Sequence, residues 1–161
     1  MPDDFIHIKL SDQRLRLYKA GTLRREYPVS TARRGAGEQQ GSEQTPRGWH
    51  RIRARIGEGC AAGTVFVGRR PTGERYSDAL ARRHPGRDWI LTRILWLCGN
   101  EPGRNRFGAV DSMRRYIYIH GCPDREPVGE PRSHGCVRMR SDDLIELFDE
   151  VEAGFQVLIE E

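Results

Sequence analysis

The chain has 161 residues, 37% hydrophobic and 31% charged, with 18 glycines and nine prolines spread along its length, a composition that describes one globular unit spanning residues 1–161. Its longest apolar run, about ten residues from Trp89 to Leu97, is interrupted by Arg93 and falls short of the roughly 18 to 20 residues a membrane helix needs. The net charge of +4 is carried by arginine, because lysine occurs only at positions 9 and 19; the arginines fall in scattered pairs rather than one block, which argues against a nucleic-acid surface.

Phe5 to Leu10 and Arg14 to Lys19 alternate apolar with polar residues, the period of half-buried strands, and Leu23 to Ser30 returns as a third strand after the turn at Ala20-Gly21-Thr22. Residues 31–48 are polar and rich in glycine, which predicts a long surface loop. Trp49 to Ile56 and Thr64 to Val67 read as further strands. Between Gly68 and Asp88 the pattern fails, and an irregular lid with one short helix at Ser77 to Arg83 is expected within an insertion over about residues 57–114. Trp89 to Leu97 and Arg115 to His120 read as central strands. A helix follows Ser141, read as its N-cap, with Asp142 and Asp143 at the positive end of its dipole and Gly154 stopping it. Phe155 to Ile159 closes the chain. The expected fold is mostly β, a sandwich or barrel of about eight strands with one good helix.

Two segments share a pattern, Ile119-His120-Gly121-Cys122 and Ser133-His134-Gly135-Cys136. Two His-x-Cys pairs can ligate zinc, since residues i and i+2 of a strand share a face. They can also be a small-residue packing motif with incidental histidines. The third reading is a cysteine nucleophile with a histidine base: Cys136 supplies the thiol, His120 accepts its proton, and Gly135 lets the backbone approach a substrate carbonyl. On this reading an adjacent imidazole lowers the thiol from its usual value near 8.5. Gly35-Ala36-Gly37 lacks the following Gly-Lys-Ser/Thr of a phosphate loop, so no nucleotide site is expected there.

Ser133-His134-Gly135-Cys136-Val137-Arg138-Met139, preceded by Tyr118-Ile119-His120-Gly121, resembles the signature of the YkuD-type L,D-transpeptidase catalytic domain. The opening strands, Tyr27-Pro28-Val29-Ser30-Thr31, Thr45-Pro46-x-Gly48 and Asp143-Leu144 agree with it, whereas residues 57–114 match loosely. The resemblance implies a largely β enzyme that needs no metal or cofactor and attacks the bond between the L-centre of a diamino acid and a terminal D-alanine in peptidoglycan stem tetrapeptides. By carry-over, Cys136 is the nucleophile, His120 the base and His134 a further residue of the site. The Gly121 carbonyl orients the imidazole, N–H groups around Gly135 and Cys136 form the oxyanion hole, and Ser133 and Arg138 bind substrate, Arg138 at the D-alanine carboxylate.

The acyl-enzyme can be resolved by water or by an amine. The opening Met1-Pro2-Asp3-Asp4-Phe5 has no signal-peptide character, so with Met1 as the native start the expected location is the cytoplasm, and the periplasm if Met1 replaces a removed signal. The favoured expectation is an L,D-carboxypeptidase acting on muropeptides during peptidoglycan recycling, with cross-linking as the alternative and a catalytically silent binding domain as a third. Cys60 and Cys98 are expected in the core. Cys122 is either a small buried residue or a thiol near enough to Cys136 for a regulatory disulfide.

Overall fold

A computed structural model describes all 161 residues. The alternation at the N-terminus produces an antiparallel meander of β1 (Phe5–Lys9), β2 (Arg14–Lys19) and β3 (Thr22–Pro28), in which Ile6, Ile8, Leu15 and Leu17 are fully buried while the intervening basic residues face outward. The next elements are β4 (Gly48–Ile56), the hairpin β5 (Thr64–Val67) and β6 (Arg70–Arg75), and α1 (Asp78–Arg83). Then come β7 (Leu91–Gly99), β8 (Tyr118–Cys122), β9 (Val137–Arg140), α2 (Ser141–Phe148) and β10 (Gln156–Glu160). Neither helix is long and apolar enough to cross a membrane.

The sheet runs β3-β2-β1-β10-β4-β7-β5-β6, and β8 and β9 branch from it at β7. The last strand, β10, inserts between β1, to which it runs parallel, and β4. The main core forms where α2 packs against β7, β8 and β9, its Leu144, Leu147 and Phe148 fully buried in one cluster with residues such as Ile8, Leu97 and Ile119. Burying three side chains of this size is worth several kcal/mol, at about 1.5–3 kcal/mol each.

Ten strands form where about eight are expected. Arg70–Arg75 (RPTGER) is an exposed hairpin arm with no apolar alternation, and Val137–Arg140 is four residues long and hidden inside the Ser-His-Gly-Cys segment. The short helix does form: the Ser77 side chain accepts from Leu80 N at 3.0 Å, and Leu80 and Ala81 are buried. Ser141 is not the cap of α2. Arg140 occupies that position without a side-chain bond, and Ser141 Oγ instead meets Thr92 Oγ1 at 2.6 Å. The helix ends at Asp149, and Gly154, at φ +93°, belongs to the turn into β10. Residues 57–114 are not one insertion, since they contain the central strand β7; residues 57–88 form the flanking hairpin and α1. The loop 31–48 is likewise not wholly at the surface. Ser30 pairs with Arg138 and Ala32 with Ser133, and Thr31, Ala32 and Thr45 are buried beside the Ser-His-Gly-Cys segment.

Candidate active site

The site is built on the parallel pair β8 and β9, in register Ile119↔Val137 and His120↔Arg138. Side chains alternate across such a pair. Ile119, Val137 and Met139 therefore enter the main core, while Tyr118, His120, Cys136 and Arg138 share the opposite face. The two histidine–cysteine segments come together because the pair is parallel, and the crossover between the strands is the 123–136 loop.

His120 is buried, and its Nδ1 lies 2.7 Å from the carbonyl oxygen of Gly121. A carbonyl only accepts, so Nδ1 carries the proton and Nε2 keeps its lone pair. That Nε2 is buried and has no hydrogen-bond partner. A bulge in β7 sits directly opposite. Leu91 pairs with Gly121 and Ile94 with His120, which leaves Thr92 and Arg93 as extra residues. A Cβ at Gly121 would come within 2.6 Å of the Leu91 carbonyl oxygen, so the close approach of the bulge requires glycine. Thr92, at φ +79°, is fully buried and bridges Ser141 Oγ at 2.6 Å and Gly63 N at 3.0 Å.

The Cys136 thiol donates to Tyr116 O and accepts from Tyr118 N, both at 3.3 Å. It makes no hydrogen bond to His120. Burial pushes the thiol up to about 12, with the Asp88 carboxylate adding to the rise and the Tyr118 N–H, Arg138 and Arg115 opposing it. Burial also lowers His120, against the raising effects of Asp88 and the Gly121 carbonyl. Desolvation disfavours both the thiolate and the imidazolium, the opposite direction from the lowering of the thiol expected of an adjacent imidazole.

Gly135 adopts φ +132°, a conformation L side chains rarely take; its N–H donates to Ser133 Oγ at 3.2 Å, and its carbonyl accepts from Thr45 Oγ1 at 2.9 Å. Ser133 is buried and donates to the Cys136 carbonyl, so its hydroxyl closes the turn rather than facing a cavity. The Cys136 N–H has no partner within the protein. His134 stands exposed between two cavities of about 270 Å³ each. One is lined by Cys136, Tyr116, Arg115 and Glu43, the other by Arg138, Asp88, Arg132 and Trp89. Arg138 projects into the second and is ion-paired with Asp88 at 3.0 Å.

Three contributors carry no local signal in the sequence. Asp88 comes from the irregular stretch before β7. Arg115 anchors the loop above Cys136 by donating to the carbonyls of Gly37, Glu38 and Gln44. Arg69, at the tip of the β5–β6 hairpin, stacks on Trp96 and Tyr116 at 4.6 and 5.1 Å and donates to Tyr118 Oη. All three lie in loops or turns and reach the site through long-range side-chain contacts rather than through strand pairing.

Cys122 pairs with Arg140, whereas Cys136 precedes the Ile119↔Val137 pair, so the two cysteines stand about four strand positions, roughly 13 Å, apart. A disulfide needs Cα atoms within about 7 Å. Cys122 is therefore the small buried residue, its thiol pushed up to about 11 by burial. Cys98 is buried and Cys60 partly so. No three His, Cys, Asp or Glu side chains converge as metal ligands.

A model of the YkuD family, the L,D-transpeptidase catalytic domain, matches residues 3–159. The Bacillus subtilis protein YqjB, whose name assigns it to the L,D-transpeptidases, is 40% identical over 53 residues, 33% of this chain and 30% of its own. Among solved structures, an Enterococcus faecium L,D-transpeptidase superimposes with a TM-score of 0.60 at 18% identity, covering 99% of this chain and 50% of that one. L,D-transpeptidase 3 from Mycobacterium tuberculosis, in complex with a faropenem-derived adduct, gives 0.61 at 17% identity, covering 99% and 61%. At these identities the likeness is one of fold. The chain spans about half to three fifths of the length of these two structures.

Proposed function

Because this chain belongs to the L,D-transpeptidase catalytic-domain family, we propose that Cys136 attacks the L,D bond before the terminal D-alanine of a peptidoglycan stem tetrapeptide and that water resolves the thioester. The observation that carries the reading is the shared face of His120 and Cys136, with Nδ1 committed to Gly121 O and the unpartnered Nε2 left to accept a proton. As sulfur adds to the scissile carbonyl, the thiol proton passes to Nε2. The carbonyl becomes an oxyanion, for which the free Cys136 N–H is the available donor, since the Gly135 N–H is engaged by Ser133. Collapse breaks the C–N bond, and the imidazolium returns the proton to the leaving D-alanine amine. Water then adds to the thioester with His120 again as base, releasing tripeptide and restoring the thiol. With the thiolate and the imidazolium both disfavoured, proton transfer accompanies attack instead of preceding it.

Hydrolysis, the L,D-carboxypeptidase outcome suited to muropeptide recycling, is favoured by the Arg69 clasp, which fixes the side chains of Tyr116 and Tyr118, the two residues whose backbone holds the Cys136 thiol. Acyl transfer to an amine is the second reading, supported by the cavity on the other side of His134. Incubating the protein with disaccharide tetrapeptide, with and without a D-amino acid, and weighing the products separates them. Tripeptide plus free D-alanine as main products supports hydrolysis. Cross-linked or exchanged peptide forming faster than tripeptide assigns the chain to transpeptidation.

A further inference from the structure

The cavity on the far side of His134 from Cys136 holds charges that the acyl-transfer chemistry does not use. Arg138, opposite His120 in the strand register, has a side chain 10% exposed, and the Asp88 carboxylate that meets it at 3.0 Å is 45% exposed. The cation is walled in and the anion is open to the cavity. Both keep unused capacity. Asp88 Oδ2 lies 4.0 Å from His134 Nδ1, beyond hydrogen-bond reach, and the other terminal nitrogen of Arg138 makes only a long 3.4 Å contact to the Arg132 carbonyl. Around the rim, Arg87 is tied to Glu74 and Arg132 to Glu130, while Arg125 and Glu126 add one charge of each sign, so Asp88 and Arg138 are the ion-paired charges of the cavity that face each other directly.

That pair selects by chemistry. A lone carboxylate placed on Arg138 would share the guanidinium with Asp88 at a few ångströms, where like charges repel in partly desolvated surroundings. A lone ammonium on Asp88 would meet Arg138 in the same way. A group that carries an ammonium and a carboxylate on one carbon sets each charge against its opposite and completes both partners at once. The terminal D-alanine of a donor is the wrong class, because its nitrogen is already in the scissile amide.

We infer that Asp88 and Arg138 form a subsite for an amino-acid head group, a free α-ammonium carboxylate. The inference rests on the proposed reaction at Cys136. Two sources carry that chemistry there, the free end of a third-position diamino acid in the donor and a free D-amino acid acting as acceptor. Asp88 is then a specificity-determining residue, reading the ammonium while Arg138 reads the carboxylate.

The test compares three donors with water as acceptor: the tetrapeptide with meso-diaminopimelate, the same peptide amidated at the free carboxyl, and the lysine peptide. Each is measured with the wild type and with Asp88→Asn, and the KM for D-methionine in exchange is measured for both proteins. If the donor end occupies the subsite, the wild type prefers the free diaminopimelate peptide over the two donors that lack its carboxylate by tenfold or more in kcat/KM, and Asp88→Asn lowers kcat/KM for all three donors, whose ammonium it no longer holds. If the acceptor occupies it, Asp88→Asn raises the D-methionine KM by about tenfold and leaves the donor series unchanged. Either result supports the head-group subsite. Equal use of all three donors with an unchanged D-methionine KM, or faster turnover of every donor by Asp88→Asn, overturns it. Intact-mass detection of a carbapenem adduct on wild-type Cys136 reports separately on the nucleophile, so loss of that adduct is a failure of the reaction assignment and not of the subsite. A melting curve of Asp88→Asn matching the wild type establishes that the fold is intact.

Discussion

Thr92 offers a sharp test of how the fold holds the candidate base, because two opposing effects meet at one residue. Its φ of +79° is a conformation that costs a β-branched residue roughly 1–3 kcal/mol. Its hydroxyl links Ser141 Oγ and Gly63 N across the bulge facing His120 and Gly121. Thr92→Ala keeps the strained backbone and loses both bonds, and leaving a buried donor unpaired adds about 1–3 kcal/mol. Thr92→Gly loses the same bonds but releases the strain. At an ordinary strand position glycine is worse than alanine by roughly 0.5–1 kcal/mol. Here the order inverts: in urea unfolding Thr92→Gly is more stable than Thr92→Ala by about 1–2 kcal/mol, and both fall below wild type. Both variants also lose kcat for D-alanine release severalfold, with KM little changed, as the Gly121 carbonyl that orients His120 loses its support. Alanine equal to or better than glycine in stability would refute the strained-bulge reasoning.

Three further outcomes follow from the same geometry. Since burial lowers His120 and pushes Cys136 up to about 12, the acid limb of kcat/KM falls below the usual histidine value of 6.5, and the rate stays flat from pH 7 to 9; a tenfold rise per pH unit over that range would instead indicate a thiolate nucleophile. His50 is fully buried, bonded to Ser112 Oγ and the Gly48 carbonyl, and lowered by burial to about 4. The stability conferred by its neutral form is complete above pH 6.5 and is lost as pH falls toward 4, by up to about 3 kcal/mol; denaturant titrations across that range measure the loss, and His50→Gln flattens it. Arg138→Met leaves Asp88 unpaired and lowers kcat/KM on tetrapeptide by roughly 10- to 100-fold, the scale of a charge-assisted hydrogen bond. Lysine, lacking the planar fork, restores part of that loss, and full activity of the methionine variant would remove Arg138 from the site.

The meander, β7, β8 and the α2 segment were legible because their periodicity reflects burial: Ile6, Ile8, Leu15 and Leu17 alternate in sequence as they do in space. The Ser-His-Gly-Cys block and His120 were legible as chemistry. Strands β6 and β9 were not, since one is exposed on both faces and the other is four residues long. Ser141 looked like a cap because the residue type fits, yet its hydroxyl is claimed by Thr92, a partner 49 residues away. Asp88 was invisible for the same reason, lying in an aperiodic stretch and gaining its meaning from Arg138, 50 residues on. Motif spacing carries proximity but not desolvation, which acts on the Cys136 thiol in the opposite direction from a neighbouring imidazole.

The central claim is that Cys136 forms the covalent bond with substrate. Mixing the protein with disaccharide tetrapeptide, quenching in acid on the millisecond to second scale and mapping the adduct by mass tests it directly. The account predicts a tripeptidyl thioester, the donor less D-alanine, on Cys136 alone, absent in Cys136→Ala, which folds normally but releases no D-alanine. An adduct on Cys122 or Cys60, or D-alanine release that survives Cys136→Ala, would contradict it.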